Sequence, residues 1–175
     1  VVGRTTSQAP VFSSRISGVI LNPWWELPSS IAAEGVAAMV RNNPAAAARR
    51  GYVFQDGRYR QRPGAGNALG RMKLVMPNSY TVYLHDTPAQ ALFANPVRAA
   101  SHGCVRVGDA LDFATTLLAA RPGWTRASTD AVISGGQTRL VELPRPIPVY
   151  ITYFTAEPAA DGSIRYPADV YGRDR

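Results

Sequence analysis

The sequence predicts an α+β fold in which strands predominate. Three observations carry that expectation. Short apolar or β-branched runs recur between breakers supplied by 15 Gly and 14 Pro. Only a few stretches place apolar residues at three- and four-residue spacing, as a helix face requires. Apolar residues make up 46% of 175 positions, which is enough to build one core and argues against disorder. A single domain over 1–175 follows, with room for a small inserted lobe.

The elements can be justified in order. Val11 to Leu21 alternates and reads as a strand. Asn22-Pro23-Trp24-Trp25-Glu26-Leu27-Pro28 is an aromatic turn bounded by prolines. Ser29 or Ser30 can cap a helix from Ile31 to Val40, which Asn42-Asn43-Pro44 stops. Ala45 to Arg50 predicts a short helical turn closed by Gly51, and Tyr52 to Phe54 a strand turned at Asp56-Gly57. The glycines of Pro63 to Gly70 precede a strand, Arg71 to Met76, instead of following one, so they do not make a dinucleotide loop. Ser79 to Leu84 reads as the next strand, and Asp86 to Ala100 mainly as loop with a turn near Ala89 to Phe93. A helix is expected from about Val107 to Leu118, a second over Ser128 to Ile133, then two β runs, Thr138 to Leu143 and Pro148 to Thr155, joined by a proline-rich link.

Charge is concentrated. The net charge is +7, and residues 41–73 hold eight bases against one acid, Asp56, which is the whole excess. Such a field attracts anions. Nucleic acid is disfavoured, because only Tyr52, Phe54 and Tyr59 interleave the bases and no nucleic-acid motif appears. An anionic substrate and a plain solvated face both remain open. No uncharged run approaches the roughly 18 residues of a transmembrane helix. The opening Val1-Val2-Gly3 carries no signal-type run, so any targeting segment is expected to belong to a longer parent.

The one cysteine, Cys104, excludes an internal disulfide framework. It is either a buried small residue or a nucleophile. Both histidines, His85 and His102, lie near it in sequence. A free thiol is only a few per cent thiolate at pH 7, so a nucleophilic cysteine needs a neutral imidazole to take its proton. That imidazole needs an acceptor for its other nitrogen, and Asp86 can supply its carboxylate or its carbonyl. A helix beginning near Val107 would favour thiolate at Cys104, and the N–H groups of Gly103 and Cys104 are candidate oxyanion donors. Arg106 can hold a carboxylate bidentately. A zinc site from His85, His102 and Cys104 lacks a fourth ligand and the usual spacing; no metal or organic cofactor is expected.

The run Tyr83-Leu84-His85-Asp86-Thr87-Pro88, followed by Ser101-His102-Gly103-Cys104-Val105-Arg106-Val107, resembles the signature of the L,D-transpeptidase (YkuD-type) catalytic domain. Asn22 to Pro28, Pro63 to Arg71 and Asp169-Val170-Tyr171 resemble its YcbB-like branch. The resemblance implies a β-sandwich of mixed sheets with a helical capping lobe inserted at about 25–61. It implies that Cys104 attacks the meso-diaminopimelate–D-Ala bond of a peptidoglycan tetrapeptide stem, with His85 as base and acid, Asp86 orienting it and Gly103 shaping the turn. A second stem's amine then completes a 3–3 crosslink. Tyr83, Trp25, Ser101, His102 and Arg106 are implied substrate contacts.

Donor and acceptor stems are the implied partners, and carbapenem β-lactams the implied covalent inhibitors. The substrate places the protein in the periplasm. Water as acceptor (carboxypeptidase or endopeptidase), a 1–3 crosslink, lipoprotein attachment and a non-catalytic wall-binding module are the alternatives. The basic segment is expected to gather anionic stems through Arg49, Arg50, Arg58 and Arg60.

Overall fold

A computed structural model describes residues 1–174. In chain order its strands are β1 (Val2–Gly3), β2 (Phe12–Leu21), β3 (Trp25–Glu26), β4 (Tyr52–Gln55), β5 (Arg58–Gln61), β6 (Met72–Val75), β7 (Leu84–His85), β8 (Ala99–Ser101), β9 (Val105–Arg106), β10 (Arg139–Ile151), β11 (Glu157–Pro158) and β12 (Ile164–Arg165). The helices are α1 (Ser29–Ile31), α2 (Ala37–Asn42), α3 (Pro44–Arg49), α4 (Ala110–Leu118) and α5 (Arg126–Ser134). The architecture is mixed α+β, as the sequence predicts. None of the described helices is long and apolar enough to cross a membrane.

A five-stranded mixed sheet, ordered β10-β2-β6-β7-β9, forms the frame. Its pairs are antiparallel except β7 with β9, which run parallel with Leu84 opposite Val105 and His85 opposite Arg106. Side chains alternate between faces along each strand. One face sends Val19 and Leu21 of β2 and Met72 and Leu74 of β6 into a core they share with Ala114 and Leu118 of α4. All six are fully buried, and burying each larger aliphatic side chain contributes about 1.5–3 kcal/mol. The four-residue spacing of Ala110, Ala114 and Leu118 is what aims one stripe of α4 at the sheet. The opposite face of β6, β7 and β9 is left for the site.

Residues 25–61 form a separate layer. There β3, β5 and β4 make an antiparallel sheet, and α2 and α3 pack against β4. The side-chain oxygen of Asn43 accepts from Ala46 N at 3.0 Å and Pro44 opens α3, a standard helix start. The helix expected from Ile31 to Val40 is instead interrupted by a wide turn, Ala32–Val36, where Gly35 has a φ of 140°.

Other boundaries also differ from expectation. Ser79 to Tyr83 is not a strand, because the Asn78 side chain takes its backbone bonds. Asn78 Oδ1 accepts from Tyr80 N and Val82 N, and its Nδ2 donates to Met76 O and Val82 O. The helix after Cys104 begins at Ala110, since Val105 and Arg106 are held in the sheet by β7. The two C-terminal β runs are one strand, β10, with a bulge between Glu142 and Ile147. It lies at the sheet edge, where Pro146 and Pro148 cost no ladder bond inside the sheet.

The C-terminal segment returns to the start of the chain. Tyr171 Oη donates to Gly3 O at 2.8 Å and accepts from Ala9 N at 3.2 Å, while Tyr153 Oη donates to Asp169.

Candidate active site

Strand register explains why the reactive groups share a face. His85 is paired with Arg106 on one side and with Lys73 on the other. Cross-strand partners project to the same side, as do residues two apart in a strand. His85 and Arg106 therefore share a sheet face; with Tyr83 and Cys104 they line one cleft, and Lys73, opposite His85, stands over the Tyr83 ring. Cys104 lies just before β9, and no hydrogen bond joins it to the His85 side chain among the described residues; the two share the cleft. Both line a cavity of about 680 Å³.

The histidine is held in one tautomer. His85 is 4% exposed, and its Nδ1 lies 2.5 Å from Asp86 O. A carbonyl can only accept, so Nδ1 carries the proton and Nε2 is left as a bare base. Burial holds the His85 pKa down to about 4, against a raising contribution from that same carbonyl bond. The ring is neutral at pH 7.

Asp86 serves through its carbonyl, while its carboxylate is spent elsewhere. Oδ2 accepts from Arg71 N at 2.8 Å, and Oδ1 from Gln90 Nε2 at 3.3 Å. The carboxylate packs against Gly70, where an added Cβ would lie 2.4 Å from Oδ2. Gly70 also has a φ of 61°, so only glycine fits there without strain.

The cysteine turn differs from expectation in two respects. Cys104 leads into strand β9 and does not sit at a helix N-terminus, so no helix dipole stabilises its thiolate. Burial pushes its thiol pKa up, opposed by a backbone hydrogen bond from Tyr83 and by the charges of Arg106 and Lys73. The resting pair is thus neutral thiol and neutral imidazole. Secondly, Gly103 N donates to Ser101 Oγ at 3.1 Å, so it is not a free oxyanion donor. Cys104 N has no intramolecular acceptor among the described residues. Gly103 contributes conformation instead, with a φ of 114°.

Ser101 is buried, and its hydroxyl donates to Cys104 O at 2.5 Å, closing the turn from inside. His102 is on the rim, with Nε2 3.1 Å from Glu34 Oε2 of the 25–61 layer. Trp25 and Tyr83 line the cleft, as does Arg106. Three further residues were not singled out as site residues. Lys73 stands over the Tyr83 ring at 4.6 Å; its being the one lysine in an arginine-rich chain was the available signal. Tyr52 lines the far wall. Gly70 supports Asp86, and no pattern in one sequence points to that contact.

A model of the L,D-transpeptidase catalytic domain (YkuD) matches residues 1–142. The chain belongs to the L,D-transpeptidase catalytic-domain family. A Haemophilus influenzae protein named "Putative L,D-transpeptidase" is 32% identical over 195 aligned positions, which take in all of this chain. The chain spans 40% of the length of that relative. The tautomer-fixed His85 and the Cys104 turn thus lie within the matched part of an L,D-transpeptidase domain.

Proposed function

We propose that this L,D-transpeptidase domain acts on peptidoglycan stem peptides by cysteine acyl transfer. The observation that carries the reading is the Nδ1–carbonyl bond at 2.5 Å. It leaves His85 Nε2 free to take a proton in the cleft that holds the Cys104 thiol.

The steps follow from those two groups. Cys104 Sγ gives its proton to His85 Nε2 and bonds to the carbonyl carbon of the meso-diaminopimelate–D-Ala amide. Cys104 N–H, which has no acceptor among the described residues, is the donor open to the developing oxyanion. The C–N bond breaks, and the leaving D-Ala amine takes the proton back from Nε2. The side-chain amine of a second stem then attacks the thioester, its proton passes to Nε2, and the C–S bond breaks to return the thiol. The product is a 3–3 crosslink.

Arg106 and Lys73, on the same sheet face, favour the transient thiolate and are suited to holding a substrate carboxylate. Asp86 orients His85, and Ser101 and Gly103 act by shaping the turn. Trp25, Tyr83 and His102 line the path of the stem. The 25–61 layer caps it, tied to the cysteine turn by Glu34 and His102. A wall substrate places the reaction outside the cytoplasm, in the periplasm.

Defined tetrapeptide muropeptides, read by product mass, test the proposal. A crosslinked dimer with loss of one D-Ala supports it. A tripeptide alone assigns water as the acceptor, and no product together with no carbapenem adduct on Cys104 would leave a wall-binding module.

A further inference from the structure

Five of the eight bases in residues 41–73 fall into two groups. Arg58 lies 2.9 Å from Glu26, and Arg60 reaches Glu26 at 3.1 Å and Asp56 at 3.3 Å. These two arginines, expected to gather anions, are neutralised by acids beside them. Arg49, Arg50 and Arg62 are exposed and form no ion pair among the described residues. All three line a groove of about 490 Å³ between the end of α3 and the loop after β5, and no acidic residue lines it.

That groove is rigidly built. Gln61 is 3% exposed and Asn67 is 1% exposed. Gln61 Nε2 donates to Arg50 O at 3.1 Å and Gly66 O at 3.0 Å, while its Oε1 accepts from Ala68 N at 2.9 Å. Asn67 Nδ2 donates to Arg62 O at 2.9 Å. Two buried amides therefore fix the neighbouring backbones that carry Arg50 and Arg62, which are joined by Arg62 N donating to Gly51 O at 2.9 Å. Guanidinium groups mounted on fixed backbone lose less freedom when they bind a carboxylate.

The groove also adjoins the reactive cleft at one residue. Tyr52 lines both. Burial raises the Tyr52 phenol pKa, and the nearby Arg50 charge works against that rise. A ligand leaving the cleft over Tyr52 meets three uncompensated guanidiniums. Tyr52 is the one aromatic lining the groove, whereas single-stranded nucleic acid is held by successive stacking platforms. A short chain bearing a few carboxylates fits better than a phosphate polymer.

We infer that the Arg49–Arg50–Arg62 groove is a subsite for the carboxylates of a stem peptide that extends from the Cys104 cleft past Tyr52. This rests on the transpeptidase reading and adds to it a place where the anionic part of the stem is held.

The test compares wild type with the triple variant Arg49→Gln/Arg50→Gln/Arg62→Gln on three probes. These are an anionic tetrapeptide stem, the same stem with its carboxylates amidated, and a carbapenem that acylates Cys104 from within the cleft. The triple variant is expected to raise KM for the anionic stem about three- to tenfold at low salt, with the difference fading near 0.5 M salt. KM for the amidated stem and the carbapenem acylation rate stay within about twofold, the latter also reporting an intact fold. Arg41→Gln, outside the groove, leaves KM unchanged.

Equal KM values for wild type and triple variant on the anionic stem would overturn the inference, as would an oligonucleotide competing for the groove while stem KM is unmoved. Should the triple variant not fold, Arg49→Gln alone is read on the same stem, where an unchanged KM overturns the inference. A wild type that processes neither stem removes the transpeptidase reading itself, a result distinct from failure of the groove.

Discussion

Gly70→Ala isolates the support behind the histidine. The new Cβ would stand 2.4 Å from Asp86 Oδ2 and 2.6 Å from its Cβ. Real Cβ contacts essentially never fall under 3.0 Å, so Asp86 must retreat by roughly 0.6 Å or more, which shifts the residue whose carbonyl holds His85 Nδ1. Misplacing a catalytic group by about 1 Å costs on the order of 10²-fold in rate. The left-handed backbone adds about 1–2 kcal/mol of strain for any residue with a Cβ. Gly57→Ala supplies the control, because Gly57 has a φ of 74° and nothing within 4 Å of its added Cβ. Both variants carry the left-handed backbone cost, and Gly70→Ala should lose more in thermal unfolding because of the added clash. Only Gly70→Ala should slow carbapenem acylation of Cys104, followed by intact mass, about a hundredfold. If Gly70→Ala acylates as fast as Gly57→Ala, the claim that Asp86 fixes the base is wrong.

Three other outcomes are expected. Because burial holds His85 at a pKa of about 4 while the unfolded chain protonates near ~6.5, stability from this group is complete above pH ~6.5 and is lost as pH falls through 4. The loss is on the order of 3 kcal/mol by urea unfolding, and stability flat across that window contradicts the burial argument. Lys73→Met keeps an apolar stem beside Tyr83 but removes a charge that favours the Cys104 thiolate, so acylation should slow roughly three- to tenfold; a rate equal to wild type assigns Lys73 to packing. Asn67→Ala removes a buried amide that donates to Pro23 O, Gln61 O and Arg62 O and accepts from Leu69 N. It should cost about 2–4 kcal/mol, and a loss below 1 would refute the pinning of this loop.

Much of the site was legible because its chemistry is local in sequence. His85, Asp86, His102, Gly103 and Cys104 are named as candidates by residue type and spacing and Ser101 by the family resemblance, and the runs at β2, β4, β6 and α3 follow from periodicity and caps. What escaped reading depends on partners far along the chain. Val105 and Arg106 join the sheet because β7 is there to pair with them, and this removes the helix terminus expected beside Cys104. Residues 79–83 alternate like a strand, but one amide, Asn78, offers the backbone better bonds. Arg58 and Arg60 count as positive in a charge sum yet sit against Glu26 and Asp56. The role of Gly103 changed for a similar reason: its N–H is already committed to Ser101.

The central claim is that His85 rests neutral, with Nδ1 protonated and Nε2 bare, opposite an un-ionised Cys104. Nitrogen-15 NMR of the imidazole measures this directly. The account predicts one protonated nitrogen, Nδ1, unchanged from pH 8 down to about 5. Two protonated nitrogens at pH 7, the mark of a thiolate–imidazolium pair, or a proton on Nε2, would contradict it.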